Sequence, residues 1–195
     1  MTKAEYRRRL AGRSVGIAGA GGLGSNCAAA LARAGVGRLV IADFDSVSRD
    51  NLDRQFFFLD QVGLPKVEAL AANLARVDPA VEVVARNVRL DADLAVELFR
   101  GCDLVVEAFD SAEAKAMLIE AVLSRLPGLP LVTASGLAGY GGSNEMRERR
   151  SGSLYLVGDL RSEVGPESPP MAPRVLIAAA MEANAALEIL LGEGA

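Results

Sequence analysis

Three glycines, one acid and two cations carry the first chemical signal. Gly19, Gly21 and Gly24 fall in GAGGLGSN, between the apolar run Ser14–Ala18 and the Ala-rich stretch Ser25–Ala34. A GxGxxG spacing between a strand and a helix permits a tight turn, close backbone approach to phosphate, and close helix–strand packing. The helix N-terminus adds unpaired N–H groups and the positive end of a dipole. Asp43 lies nineteen residues after Gly24, at the end of a second apolar run. An acid there suits ribose hydroxyls; capping a turn is its alternative role. Together these features predict a nucleotide site.

The stretch ADFDSVSRDNLDRQ, residues 42–55, is more than a dinucleotide fold needs. It adds a polar loop with Asn51, Arg54 and Gln55 before the next helix, which opens near Lys66. A dinucleotide carries a diester-linked phosphate pair and reacts at a distant ring, so it needs few cations at the glycine turn. A nucleoside triphosphate concentrates more charge there, and its cleavage builds charge on departing pyrophosphate. Positioning and neutralisation then do most of the catalysis. That calls for Arg, Lys and a magnesium ion. Arg54, Lys66 and Asp110, an acid ending the fourth apolar run, would all converge near the carboxyl ends of the strands. Each has a plainer alternative: a surface ion pair for Arg54, a solvent-facing position for Lys66, and a helix N-cap for Asp110. Phe56, Phe57 and Phe58 are expected to pack in the core rather than touch adenine or a partner.

The elements that must hold these residues alternate. Ser14–Ala18, Arg38–Ala42, Val81–Ala85, Asp103–Ala108 and Pro130–Ala134 read as strands, and Ser25–Ala34, Pro65–Val77, Ala92–Arg100 and Ala112–Arg125 as helices. Ser135–Asn144 is a Gly-rich loop. Glu145–Arg149 and Leu154–Val157 look like an antiparallel pair, Gly165–Pro173 is too Pro-rich for regular structure, and Arg174–Leu191 reads as a final helix. The expectation is one α/β domain over residues 1–195, Rossmann-like and doubly wound, with a mainly parallel sheet and antiparallel C-terminal strands.

Composition narrows the chemistry. The chain has 195 residues, a net charge of −4, two cysteines and no histidine. This excludes histidine bases and histidine metal sites, and a four-cysteine zinc site within one chain. Cys27 and Cys102 sit in apolar surroundings and are expected to be buried. Net acidity argues against a general nucleic-acid binder; Arg7–Arg9 and Arg147–Arg150 read as a solvated helix start and a solvated strand edge. Apolar runs such as Val175–Met181 are too short to span a bilayer, and MTKAEYRRRLAG lacks the apolar core of a secretory signal. A cytoplasmic protein is the default expectation.

GAGGLGSN, DFDSVSRDNLDRQ and GLPKVEAL, in this order and spacing, resemble the ThiF/MoeB proteins, relatives of the ubiquitin-activating enzymes. The resemblance covers about residues 14–192, and SGLAGYGGSN and APRVLIAAAMEAN are similar to the short ThiF-like branch. It implies ATP-dependent adenylylation of the C-terminal glycine carboxylate of a ubiquitin-like sulfur carrier similar to ThiS, for thiamine or a related cofactor. By the same resemblance Gly22 lies against the nucleotide phosphates and Asp43 holds the ribose. Asn51 and Arg54 approach the triphosphate, Gln55 supports their loop, Lys66 contacts phosphate, and Asp110 holds Mg²⁺. A homodimer is also implied, with Arg7, Arg8 and Arg9 as candidates for an arginine donated across it.

Three departures stand out. The paired zinc-binding CxxC motifs are absent, so no zinc is expected. Gly158–Pro173 contains no cysteine, and Ser111 follows Asp110 where many relatives have Asn. A separate sulfurtransferase is therefore expected to take over the adenylate. A tRNA threonylcarbamoyladenosine dehydratase-like enzyme is the alternative within the superfamily. An NAD-dependent oxidoreductase or a non-catalytic nucleotide-binding protein is the alternative outside it.

Overall fold

In the computed structural model, residues 1–192 are described. The chain opens with α1 (Lys3–Leu10), which composition alone marks only by its arginines. Thr2 and Glu5 cap it reciprocally, an arrangement that satisfies two otherwise orphaned N–H groups. Arg7–Arg9 form its last turn rather than its start, where cations meet the negative end of the helix dipole.

Alternation then builds the sheet: β1 (Ser14–Ala18), α2 (Gly22–Ala34), β2 (Arg38–Asp43), α3 (Lys66–Val77), β3 (Glu82–Asn87), α4 (Ala92–Phe99), β4 (Leu104–Glu107), α5 (Ala112–Arg125) and β5 (Leu131–Ala134). A hairpin, β6 (Arg147–Ser151) and β7 (Leu154–Gly158), and the long α6 (Ala172–Leu191) complete it. The seven strands lie in the order β3-β2-β1-β4-β5-β7-β6. The order reverses between β1 and β4, the place where ligands bind in doubly wound sheets.

Strand periodicity sorts the core. Val15, Ile17, Leu39 and Ile41 pack with α2, α3 and α6, whereas Val40, Val105 and Leu131 pack with α4 and α5. Gly16 is small for a reason: a Cβ there would come within 2.5 Å of the Phe99 ring.

Several boundaries differ from the sequence expectation. α2 begins at Gly22, three residues early, because Gly22 and Gly24 form its first turn. β6 and β7 form the expected antiparallel pair, and β7 joins the sheet parallel to β5. The hairpin's first strand starts at Arg147, because Ser143–Glu145 forms a 3-10 turn. The Pro-rich segment is not wholly irregular, since α6 starts at Ala172 with Pro173 in its first turn, where proline costs no hydrogen bond.

Candidate functional site

The glycine turn is built by backbone contacts that exclude side chains. Gly19 has φ +100°, a left-handed geometry that favours glycine. A Cβ on Gly24 would sit 1.9 Å from the Gly19 carbonyl oxygen. The turn therefore folds directly onto the first turn of α2 and leaves that helix end open to an anion.

Asp43 braces the turn from β2. Its Oδ2 accepts the Ala20 N–H at 2.6 Å, and its Oδ1 accepts the Asp45 N–H at 2.8 Å. Each carboxylate oxygen has a further lone pair, so ribose hydroxyls can still be held. Its ends thus fix both the glycine turn and the entry to the polar loop.

That loop docks on the glycine turn. Asn26 Nδ2 donates to the Gly22 carbonyl at 2.7 Å and to the Arg54 carbonyl at 2.9 Å. A Cβ on Gly22 would lie 2.9 Å from Val175 Cγ1 of α6 and 3.7 Å from Arg54 Cγ. Gln55 Nε2 lies 3.9 Å from the corresponding point on Gly21, while Gln55 Oε1 is buried with no hydrogen bond among the described residues. The Arg54 guanidinium donates to the Asp50 carbonyl at 3.1 Å and to Asp53 at 2.7 Å. Asn51 spends its Oδ1 on the Ser48 N–H at 3.0 Å, closing a 3-10 turn over Arg49–Asn51; it shapes the loop from within.

Lys66 is not solvent-facing. It is 6% exposed, and its ammonium pairs with Asp45 Oδ2 at 2.8 Å. Asp45 is held in turn by Asp43, so Lys66 joins the glycine turn through that relay. Asp110 is exposed, and its carboxylate makes no hydrogen bond or ion pair among the described residues. It is not the helix cap: Ser111 caps α5, accepting the Ala114 N–H. Asp110 reaches the turn only by chain continuity, through Ala108 and Phe109 packed beside Gly19. The three phenylalanines divide: Phe57 is buried, Phe56 half-buried, and Phe58 exposed.

Sequence reasoning missed two buried charge networks. Arg174, at the start of α6, donates to the Gly141 carbonyl at 2.7 Å, the Gly136 carbonyl at 3.3 Å, the Ser162 hydroxyl at 3.1 Å and the Asp159 carboxylate. It ties the Gly-rich loop to the segment leaving β7. Burial alone would raise the Asp159 pKa. The Ser162 hydroxyl and amide, the Arg161 amide and Arg174 outweigh that and hold it at about 2. The other network surrounds Glu107. The available signal was a charged residue inside an apolar run, LVVE or MAPRV.

The cysteines lie apart from this chemistry. Cys27 and Cys102 are both free and buried. Burial, and then the nearby Glu182, push the Cys27 thiol well above its ordinary pKa; burial also raises Cys102.

A mainly parallel sheet with a glycine turn at its switch point and a cation-bearing loop folded onto that turn defines a Rossmann-like α/β protein of the class that binds nucleotides at such turns. A family profile matches residues 2–195, and the chain belongs to the ThiF family. It is 31% identical over 196 residues to the molybdopterin-synthase adenylyltransferase of Salmonella typhimurium, covering 97% of this chain and 78% of that one. It is 39% identical over 132 residues to the adenylyltransferase and sulfurtransferase MOCS3 of Caenorhabditis briggsae, a match covering 67% of this chain. The aligned part is 32%, about a third, of that longer relative. Among solved structures, E. coli tRNA N6-threonylcarbamoyladenosine dehydratase, TcdA, in complex with AMP superposes with a TM-score of 0.87 at 23% identity, covering 97% of this chain and 90% of that one. Among the described residues, no helix is long and apolar enough to cross a membrane.

Proposed function

We propose that this protein is an ATP-dependent adenylyltransferase acting on the C-terminal glycine carboxylate of a ubiquitin-like sulfur carrier similar to ThiS. The observation that carries the reading is the docking of the Arg54 loop on Gly22, with Lys66 tied to Asp43 through Asp45. Hydride transfer gives those cations nothing to do. Adenylyl transfer does: a carboxylate oxygen attacks the α-phosphorus, the bond to the bridging oxygen breaks, and pyrophosphate leaves with the electron pair. The carrier's carboxylate, of pKa about 3.5, is already ionised at neutral pH, so no general base is required and the absence of histidine fits.

In this reading Gly19, Gly21, Gly22 and Gly24 receive the phosphates, and Asp43 holds the ribose. Arg54 and Lys66 neutralise charge on the pyrophosphate side. Asp110 is the residue that would hold Mg²⁺, which supplies charge neutralisation at the phosphates when bound. An exposed carboxylate with no partner among the described residues fits an ion that takes one or two carboxylates and completes its shell with phosphate and water.

A homodimer with an arginine donated across it belongs to the same reading. Arg7 is engaged with Asp78 and the Arg33 carbonyl, and Arg9 with the Leu191 carbonyl. Arg8 is exposed and makes no hydrogen bond or ion pair among the described residues, so it is the candidate for donation. The deeply buried thiols support handing the adenylate to a separate sulfurtransferase, with no covalent step on this chain. A cytoplasmic setting and a role in thiamine or related cofactor synthesis complete the proposal.

A second reading, a tRNA threonylcarbamoyladenosine dehydratase-like activity, draws on the 90% coverage of the TcdA chain. ATP–pyrophosphate exchange decides between them. The first reading expects exchange that depends on Mg²⁺ and on a ThiS-like carrier with a free C-terminal glycine. Exchange or AMP release that depends instead on tRNA would replace it with the second. Stabilisation by NAD and not by ATP would overturn both.

A further inference from the structure

The end of β4 carries a buried network that the phosphate-facing residues do not use. Glu107 is the last residue of β4 and is fully buried. A carboxylate in such a place is tolerated only with partners that satisfy it. The Phe109 N–H donates to its Oε1 at 2.8 Å. The Lys115 ammonium and the Thr133 hydroxyl both donate to its Oε2. Lys115 Nζ also lies 3.4 Å from the Thr133 hydroxyl. One carboxylate therefore joins β4, the turn that follows it, α5 and β5.

That turn is also a wall of the candidate site. A Cβ on Gly19 would meet the Ala108 carbonyl oxygen at 2.8 Å and Phe109 Cδ1 at 3.5 Å. Ala108 N donates to the Ala18 carbonyl at 2.9 Å, extending the ladder to the glycine turn. The next residue is Asp110. Glu182 makes no hydrogen bond to Lys115; burial, then the Glu107 charge, raise its pKa well above the ordinary carboxyl range and outweigh the opposing charge of Lys115.

We infer that Glu107 is a positioning residue that, through the Phe109 amide, Lys115 and Thr133, sets the β4–α5 turn so that Asp110 is presented beside the glycine turn. The inference rests on the adenylation reading, in which Asp110 is the magnesium ligand. It goes beyond it by placing control of that ligand in a buried ion pair contacting neither nucleotide nor metal.

The test is the isosteric Glu107→Gln variant in the full chain, read three ways. Partners behind a metal ligand typically set metal affinity by about 10–100-fold, so the Mg²⁺ concentration giving half-maximal pyrophosphate exchange rises by about tenfold or more. The KM for ATP stays within about twofold and kcat falls, because misplacement rather than lost ATP binding is the defect. Independently of turnover, hydrogen–deuterium exchange of the ligand-free protein speeds up at Phe109–Ser111 and stays unchanged in β2 and α3. A merely structural role predicts loss spread over all three readouts together with a lowered melting temperature. Thr133→Val, which removes one donor and keeps the ion pair, shifts Mg²⁺ dependence and local exchange in the same direction by a smaller factor, and Thr133→Ser restores both. If Glu107→Gln does not fold, Thr133→Val decides. Wild-type Mg²⁺ dependence or wild-type exchange at Phe109–Ser111 in the decisive variant overturns the inference. Asp110→Ala separates the two levels. If it keeps wild-type Mg²⁺ dependence, the metal assignment of the adenylation reading fails. If it loses Mg²⁺ dependence while the Glu107 and Thr133 variants behave as wild type, only the positioning role fails.

Discussion

Arg54 is the side chain on which the proposed chemistry turns. Its stem lies against Gly22 while its guanidinium rests on Asp53 and the Asp50 carbonyl near the surface. Surface ion pairs of this kind contribute about 0–1 kcal/mol, so its removal should barely touch stability. Arg54→Ala is expected to lower kcat for pyrophosphate exchange by about 10²–10³-fold, the usual loss when one preorganised charge stabiliser goes, with a melting temperature near that of the wild type. Equal losses of activity and stability would assign Arg54 to the loop's architecture instead. The cysteines make the opposite case. Buried thiols raised above their ordinary pKa are poor nucleophiles. Cys27→Ser/Cys102→Ser is therefore expected to keep carrier-dependent exchange and to support carrier thiocarboxylate formation when a donor enzyme is supplied; normal exchange with loss of both thiocarboxylate and a reducible carrier–enzyme adduct seen in the wild type would place a catalytic thiol on this chain.

At the scale of elements, two junctions should be intolerant. The β1–α2 turn has no room at Gly24, where a Cβ would strike the Gly19 backbone. Gly24→Ala is expected to abolish ATP-induced thermal stabilisation and to cost stability of the order of overpacking, about 1–3 kcal/mol. The junction of the Gly-rich loop, β7 and α6 depends on Arg174. Arg174→Met leaves the Asp159 carboxylate buried without its cation, and removing one partner of a buried pair typically costs about 3–5 kcal/mol. A urea midpoint unchanged from wild type would show that Ser162 and the Arg161 amide hold Asp159 unaided. These junctions also mark where sequence reading worked. Strand periodicity and the glycine spacing made β1, α2 and β2 legible, because each rests on local geometry. The cationic loop was legible because its residue types exceeded what a dinucleotide needs. Arg174 and Glu107 were not, because their meaning comes from partners distant in sequence: Gly141 and Asp159 for one, Lys115 and Thr133 for the other. The burial of Lys66 was illegible for the same reason, since only the fold brings Asp45 over it.

At the scale of the whole molecule, the described fold is one sheet with a hydrophobic cluster on each face, and its acid sensitivity should follow the buried acids that are held ionised. Asp159 is depressed from an ordinary 3.8 to about 2. A depressed pKa means that the unfolded chain takes up the proton first as pH falls. Its contribution is thus complete above the unfolded value and disappears as pH drops from about 4 through about 2. Asp159→Asn is expected to flatten the dependence of the urea midpoint on pH in that window; an unaltered slope would remove Asp159 from the list of acid-sensitive groups. The placement of α6 has a consequence in time. It packs along α2, and its Val175 closes against Gly22, yet it is made after every strand. Domains tend to fold as units during synthesis, and on a chain still lacking α6 the glycine turn has no backing. Nucleotide binding should therefore appear late and abruptly in a series of stalled nascent chains, which retention on an ATP resin would measure; binding by chains ending before Ala172 would contradict it. An unfinished polypeptide would in this way be spared from making a reactive adenylate before it can hand that adenylate on.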